Sequence, residues 1–177
     1  MEHDEMLSKH QRVLGSLSCL PKKVLSVHSL DNAPEFVLHE LCNQGCFNLH
    51  KAAYFVDNPD FNLFKGVAGF SQAEAYSEWD EIWNNPSAFT TFMQQSDFNQ
   101  RIRKYCIDSI HRSNRSYEHL IEDISKEIGL TEPSYFSWDL KHENKGLLVY
   151  EKNGMDAALF EEHFLNSLYL LSFCPVF

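Results

Sequence analysis

The sequence predicts an α+β fold, in which a mainly antiparallel sheet of about five strands packs against helices. Short segments of alternating apolar and polar residues come mostly in pairs joined by turns, which is typical of hairpins and therefore of antiparallel sheets. Segments with the apolar period of a helix lie between and around these pairs. The chain has 177 residues, of which 44% are hydrophobic. This length and composition predict a single domain over residues 1–177 with a core of its own.

The N-terminal part predicts two helices separated by a short strand. Residues 4–18 carry apolar side chains at helical spacing. Residues 22–30, KKVLSVHSL, alternate apolar and polar side chains as a strand does. Residues 31–45 predict the second helix, because Pro34 suits a first turn and Gly45 suits an end.

A hairpin and a helical block follow. Residues 51–71 predict two strands around a turn that contains Asn58-Pro59. The block covers residues 72–129, and within it residues 96–113 show the clearest helical stripe, which places Cys106 in the core. Two arrangements stay open for the block, which either packs as part of the domain or forms a lobe of its own.

The C-terminal part predicts a second hairpin and a last helix. Residues 134–152 read as two strands with a turn near Asn144-Lys145-Gly146. Residues 156–173 form the most apolar helical segment, which we expect at the centre of the packing. Because the strands come in hairpins, we expect the helices to cover one face of the sheet.

The charge of the chain limits the classes of partner. The 25 acidic and 15 basic residues give a formal net charge of −10. This charge argues against binding to nucleic acid or to anionic membrane surfaces, and it attracts a basic protein or a cationic ligand. No apolar stretch is long enough to span a bilayer, and five cysteines, an odd number, favour reduced thiols and a cytoplasmic location. Nucleotide-binding motifs are absent, so we expect no cofactor.

One segment, HELCNQGCFNLH, raises a sharp chemical question. It places His39, Cys42, Cys46 and His50 within twelve residues, and these residue types are zinc ligands. On an unbroken helix they would fall within about 80° of arc, which is too narrow for a tetrahedral site unless Gly45 breaks the helix. Cys46 and His50 are also candidates for a catalytic thiol and its base, because Cys46 lies beyond the helix end. We favour the alternative, in which these are interior and strand-edge residues.

A cluster of basic residues lies in the helical block. Five of the 15 cations fall within residues 101–115, against the single acid Asp108. Arg101 and Arg103 are candidates for binding a phosphate, a carboxylate or an acidic partner. The alternative is an outer helix face on which Asp108 pairs with its neighbours at helical spacing.

Aromatic residues are concentrated just before this cluster. The side chains that could line a cleft or anchor a partner are Trp79, Trp83, Phe89 and Phe92. Packing of the helical block on the sheet is the alternative explanation.

The leading functional hypothesis is therefore a soluble intracellular binding or regulatory protein. It would hold a protein partner or an apolar ligand in the aromatic cleft, together with the Arg101 and Arg103 face. A cysteine- or metal-dependent enzyme centred on Cys42, Cys46 and His50 is the alternative. An effector or immunity-type protein that blocks a basic partner belongs to the same binding class as the first.

Overall fold

The computed structural model describes residues 2–74, 82–153 and 161–174. No helix in these ranges is both long and apolar enough to cross a lipid bilayer. The elements in chain order are α1 (Glu2–Val27), α2 (Ala33–Cys42), β1 (Leu49–Asn58), β2 (Leu63–Ser71), α3 (Pro86–Gln95), α4 (Asp97–Lys104), β3 (Cys106–Ile107), α5 (Ile110–Ser113), α6 (Tyr117–Ile128), β4 (Pro133–Asp139), β5 (Lys145–Lys152), α7 (Glu161–Leu168) and a 3-10 helix (Tyr169–Phe173).

The five strands form one antiparallel sheet in the order β3-β2-β1-β5-β4. Strands β1 and β2 form the first hairpin, and β4 and β5 form the second, with its turn at residues 140–144. The two hairpins join where β1 pairs with β5. The predicted α+β class, with a mainly antiparallel sheet built from hairpins, is confirmed.

Helices cover both faces of the sheet, so the expectation of a single covered face was wrong. Successive strand residues point to opposite faces, and β1 divides accordingly. Ala52 and Tyr54 belong to a core shared with α1, α2, α3 and α7. Ala53 and Phe55 belong to a second core shared with α4 and α6. Because β1 and β5 are apolar on both faces, both need a helical layer. Residues 72–129 supply helices to both cores.

Helix α1 runs through the segment that was predicted as a strand. It continues past Pro21 to Val27. Val24 and Val27 lie at helical spacing from Leu20, and all three are buried in the first core. The strand prediction was wrong because burial of this helical stripe outweighs the β preference of valine.

The predicted long helix over residues 96–113 is broken. Helix α4 ends at Lys104, and β3 follows, with Cys106 exposed rather than in the core. The edge of β2 needs backbone partners, which β3 provides, and the Gly66 N–H donates a hydrogen bond to the Tyr105 carbonyl at 2.9 Å. Pairing of this edge therefore outweighs the continuation of the helical stripe.

Helix α2, not the C-terminal segment, is the central helix. All ten residues of α2 are buried, whereas α7 buries Phe164, Ser167 and Leu168. Residues 156–160 of the predicted last helix lie outside the described part of the chain. The predicted central position of that segment was wrong because α1, α3 and the sheet cover α2, whose polar side chains are buried together with its apolar ones.

Candidate functional site

The structure does not bring the four candidate metal ligands together. His39 and Cys42 are buried on α2, Cys46 is buried in the turn after it, and His50 lies half-buried in β1. Within residues 2–74, 82–153 and 161–174, no group of three or more histidine, cysteine, aspartate or glutamate side chains is arranged to hold a metal ion.

His39 is an interior aromatic residue. Its ring meets Phe70 and Phe89 edge-on, with centroid distances of 5.1 and 5.2 Å. Burial lowers the pKa of His39 to about 3, and the nearby charge of Lys23 adds to this effect. The imidazole is therefore neutral at neutral pH and packs as an apolar ring.

The thiols of this segment are poorly suited to nucleophilic chemistry. Burial raises the pKa of Cys46 to about 12, with a further contribution from the charge of Glu40. Burial also raises the pKa of Cys42 well above its usual value. Since the thiolate is the reactive form, both shifts oppose the catalytic role proposed for Cys46 with His50.

Trp83 uses its polar group inside the molecule. Its Nε1 donates a hydrogen bond to Glu40 Oε2 at 3.2 Å, and its ring lies 5.3 Å from that of Phe36. The ammonium of Lys23 lies 5.5 Å from the indole centroid and 3.2 Å from Glu40 Oε1. Trp83 is half-buried and belongs to a cluster with Lys23 of α1 and Glu40 of α2. Trp79 lies outside the described residues.

The other predicted binding residues have different environments. Phe89 is fully buried against Phe36, with 4.6 Å between ring centroids, so it packs α3 onto α2. Phe92 is half-buried, and Arg101 is exposed. Arg103 extends from α4 to Glu35 of α2, where its Nη1 lies 2.8 Å from Glu35 Oε1.

A polar network therefore joins α2 to α4. The Asn99 side chain donates to Glu35 Oε1 at 3.1 Å and to the Met93 carbonyl at 3.0 Å. Its own oxygen accepts from the Gly69 N–H at 2.9 Å. Glu35 Oε1 thus receives two donors, from Asn99 and Arg103. No described residue donates to Glu35 Oε2, although the Glu35 side chain is only 1% exposed.

Glu35 lines a pocket of about 320 Å³ between α2, α3 and α4. The N-terminal end of α2 is tied to α3 by the Asn32 Nδ2 to Thr90 Oγ1 hydrogen bond of 3.1 Å. The polar lining comes from Asp31, Asn32, Glu35, Thr90, Gln94 and Arg103. Of the predicted binding residues, Arg103 lines this pocket, and Leu30 and Met93 complete the described lining beside the polar residues.

The Glu35 carboxyl has an unusual proton affinity. Burial raises its pKa to about 7, although Arg103 and the Asn99 hydrogen bond act in the opposite direction. The carboxyl is therefore divided between its neutral and ionised forms near neutral pH. Glu35 is one of two glutamates in the otherwise mainly apolar run PEFVLHEL, and this placement was the sequence signal for it, although the predicted site did not include it.

Comparison with family models, curated protein sequences and solved structures finds no match to this chain.

Proposed function

We propose that this chain is a binding or regulatory protein that holds a protein partner at the pocket between α2, α3 and α4. One observation carries the proposal. Glu35, a buried carboxyl in the pocket wall, has an oxygen to which no described residue donates a hydrogen bond. Buried polar groups are nearly always paired in folded proteins, so an acceptor of this kind supports a partner that supplies the donor.

The lining supports a protein side chain over an apolar ligand. The predicted cleft aromatics Phe89 and Trp83 make contacts within the molecule, and the described wall of the pocket combines six polar residues with Leu30 and Met93. Its volume is at the low end for small-molecule sites, which span roughly 300–1,000 Å³. The net charge of −10 attracts a basic partner. A cytoplasmic location, expected from the five cysteines, is part of the proposal.

Site-directed photo-cross-linking in the source cells tests this function. A photoreactive residue replaces Gln94 or Asp31, both exposed at the pocket, and in a control it replaces Lys126, exposed on α6. We expect the same partner to be cross-linked from Gln94 and Asp31 and not from Lys126. The absence of any adduct above the Lys126 control would contradict the proposal. An immunity-type role belongs to the same class and gives the same adducts.

A further inference from the structure

We infer that the pocket binds the guanidinium group of an arginine side chain of the partner, with the Glu35 carboxylate as the central acceptor. This inference rests on the proposed function and specifies the chemistry by which the partner is recognised. Three features of the pocket carry it: the acceptor without a donor, the charge of the lining and the fixed position of the carboxylate.

The first feature is that the two oxygens of the Glu35 carboxyl differ in their hydrogen bonding. Oε1 receives Asn99 and Arg103, whereas Oε2 has no donor among the described residues. Leaving a buried acceptor unpaired costs roughly 1–3 kcal/mol, more when the group is charged. Oε2 is itself buried, so a donor that enters the pocket reaches it only when side chains of the lining move, and the contact then recovers this free energy.

The second feature is charge. Asp31 and Glu35 carry two negative charges in the lining and Arg103 carries one positive charge, so one negative charge remains when both carboxyls are ionised. The segment Pro86–Gln95, which forms α3, contains no charged residue. A cation therefore complements the pocket, whereas an anion does not.

The third feature is that the Glu35 carboxyl is held in place. Asn99 is fixed by the Met93 carbonyl and the Gly69 N–H, and in turn it fixes Glu35. Preorganised groups lose little conformational entropy on binding. Asp31 and Gln94 line the same pocket, and a guanidinium has five donors in a planar fork, so it can satisfy several acceptors at once.

The neighbouring titratable groups leave Glu35 as the group that couples binding to pH. On α2 itself, His39 stays neutral, since its pKa is about 3. Lys23 of α1 pairs with Glu40 at the other end of α2. Glu74 is engaged at the start of α4 with Ser96 and the Phe98 N–H, and burial raises the pKa of Cys174, beside the 3-10 helix, to about 12.

Because the guanidinium binds the ionised carboxyl, binding releases a proton when Glu35 starts out neutral. With a pKa of about 7, the ionised fraction falls roughly tenfold between pH 8 and pH 6. The affinity falls in proportion to the fraction of the competent form, so we expect roughly tenfold weaker binding at pH 6.

Calorimetric titration of the purified chain tests the inference. The probe is the capped tripeptide Gly-Arg-Gly, and the matched control peptide has citrulline, the neutral isostere, in place of arginine. The variant is Glu35→Gln, which keeps an acceptor for Asn99 and Arg103 and removes the charge. Its matched control is Glu40→Gln, which changes the other buried glutamate of α2 at a distance from the pocket.

We expect the arginine peptide to bind the wild-type chain and Glu40→Gln at pH 8, about tenfold more weakly at pH 6, with proton release measured in buffers of different ionisation enthalpy. The citrulline peptide should not bind the wild-type chain, and the arginine peptide should not bind the Glu35→Gln variant. Failure of the arginine peptide to bind, or equal binding to wild type and Glu35→Gln, would overturn the inference. In that case partner cross-linking from Gln94 would still stand, so the two proposals fail separately.

Discussion

Each end of α2 buries a glutamate, and the two glutamates differ in the hydrogen bonds that their oxygens accept. Near the C-terminal end, Glu40 has a donor for each oxygen, with Lys23 Nζ at 3.2 Å and Trp83 Nε1 at 3.2 Å. Near the N-terminal end, Glu35 has two donors on Oε1 and none from the described residues on Oε2. The first end has all its donors within the chain, whereas the second end leaves one carboxyl oxygen without a donor among the described residues.

This difference separates structural from functional candidates better than residue type does. Trp83 is the kind of residue that dominates interfaces, but its indole N–H completes the Glu40 cluster. Glu35 resembles an ordinary buried charge, but its environment is incomplete and it lines a pocket. The hydrogen bonds around buried carboxyls therefore indicate functional candidates here better than the presence of aromatic residues does.

The largest expected effect comes from Gly66→Ala, which disrupts the contact between β2 and α4, the helix whose side chains hold Glu35. A Cβ at Gly66 would lie 1.9 Å from the Ile102 carbonyl oxygen, a backbone atom that cannot rotate away. Helix α4, which carries Asn99 and Arg103, must then move off β2. We expect a loss of about 3 kcal/mol or more in the free energy of unfolding, measured by urea denaturation.

Gly15→Ala is the matched control for this substitution. Gly15 is exposed on α1, and a Cβ there meets no atom within 4 Å. We expect it to stabilise the chain by about 1 kcal/mol, because alanine is the better helix former. Equal effects of the two substitutions would show that α4 does not depend on contact with Gly66.

A second, smaller effect distinguishes the two glutamates by pH. The folded-state pKa of Glu35, about 7, lies above its ordinary value of 4.5, so the folded chain binds more protons between these values. The free energy of unfolding therefore falls as the pH rises through this window, by about 3 kcal/mol at most. Glu35→Gln removes this loss, so it should be more stable than wild type at pH 8 and lose the advantage near pH 4.

Glu40→Gln is the comparison variant in the same denaturation series. It weakens the Lys23 ion pair, so we expect a loss of about 1 kcal/mol rather than a gain at pH 8. If Glu35→Gln destabilises the chain at pH 8 as Glu40→Gln does, then the two ends of α2 are equivalent in their contribution to stability.

The smallest effect concerns the thiols near each end. Cys19 and Cys106 are exposed, whereas Cys46 and Cys174 are buried with pKa values raised to about 12. We expect a thiol reagent at neutral pH to label the exposed pair first, and the buried thiols to react on unfolding. Rapid labelling of native Cys46 would instead favour the cysteine-dependent enzyme.

Local signals predicted much of the fold. The Asn58-Pro59 turn marks the first hairpin, and Gly129 ends α6 with a φ of 72°, a conformation that glycine adopts without strain. Ser96 caps α4 locally, accepting from the Asn99 N–H at 3.0 Å. Each of these elements depends on residues close together in the chain, which is why the sequence was enough.

Elements that depend on distant contacts were missed. Strand β3 forms because the β2 edge needs partners, and nothing within residues 96–113 indicates that edge. The site shows the same division. Arg103 was named as a candidate from a local cluster of cations, but its partner Glu35 is 68 residues away, and the burial that raises the Glu35 pKa comes from the packed structure.

The contact of α4 with β2 leaves a mark that relatives of this chain should share. Gly66 and Gly69, three positions apart, both lie under Ile102, and a side chain at Gly69 would come within 2.5 Å of it. Over evolutionary divergence this pair should resist replacement while Gly15 and Gly45 drift. Distant relatives could therefore be recognised by a glycine pair at this spacing on the second strand, followed by a branched apolar residue on the helix that packs against it.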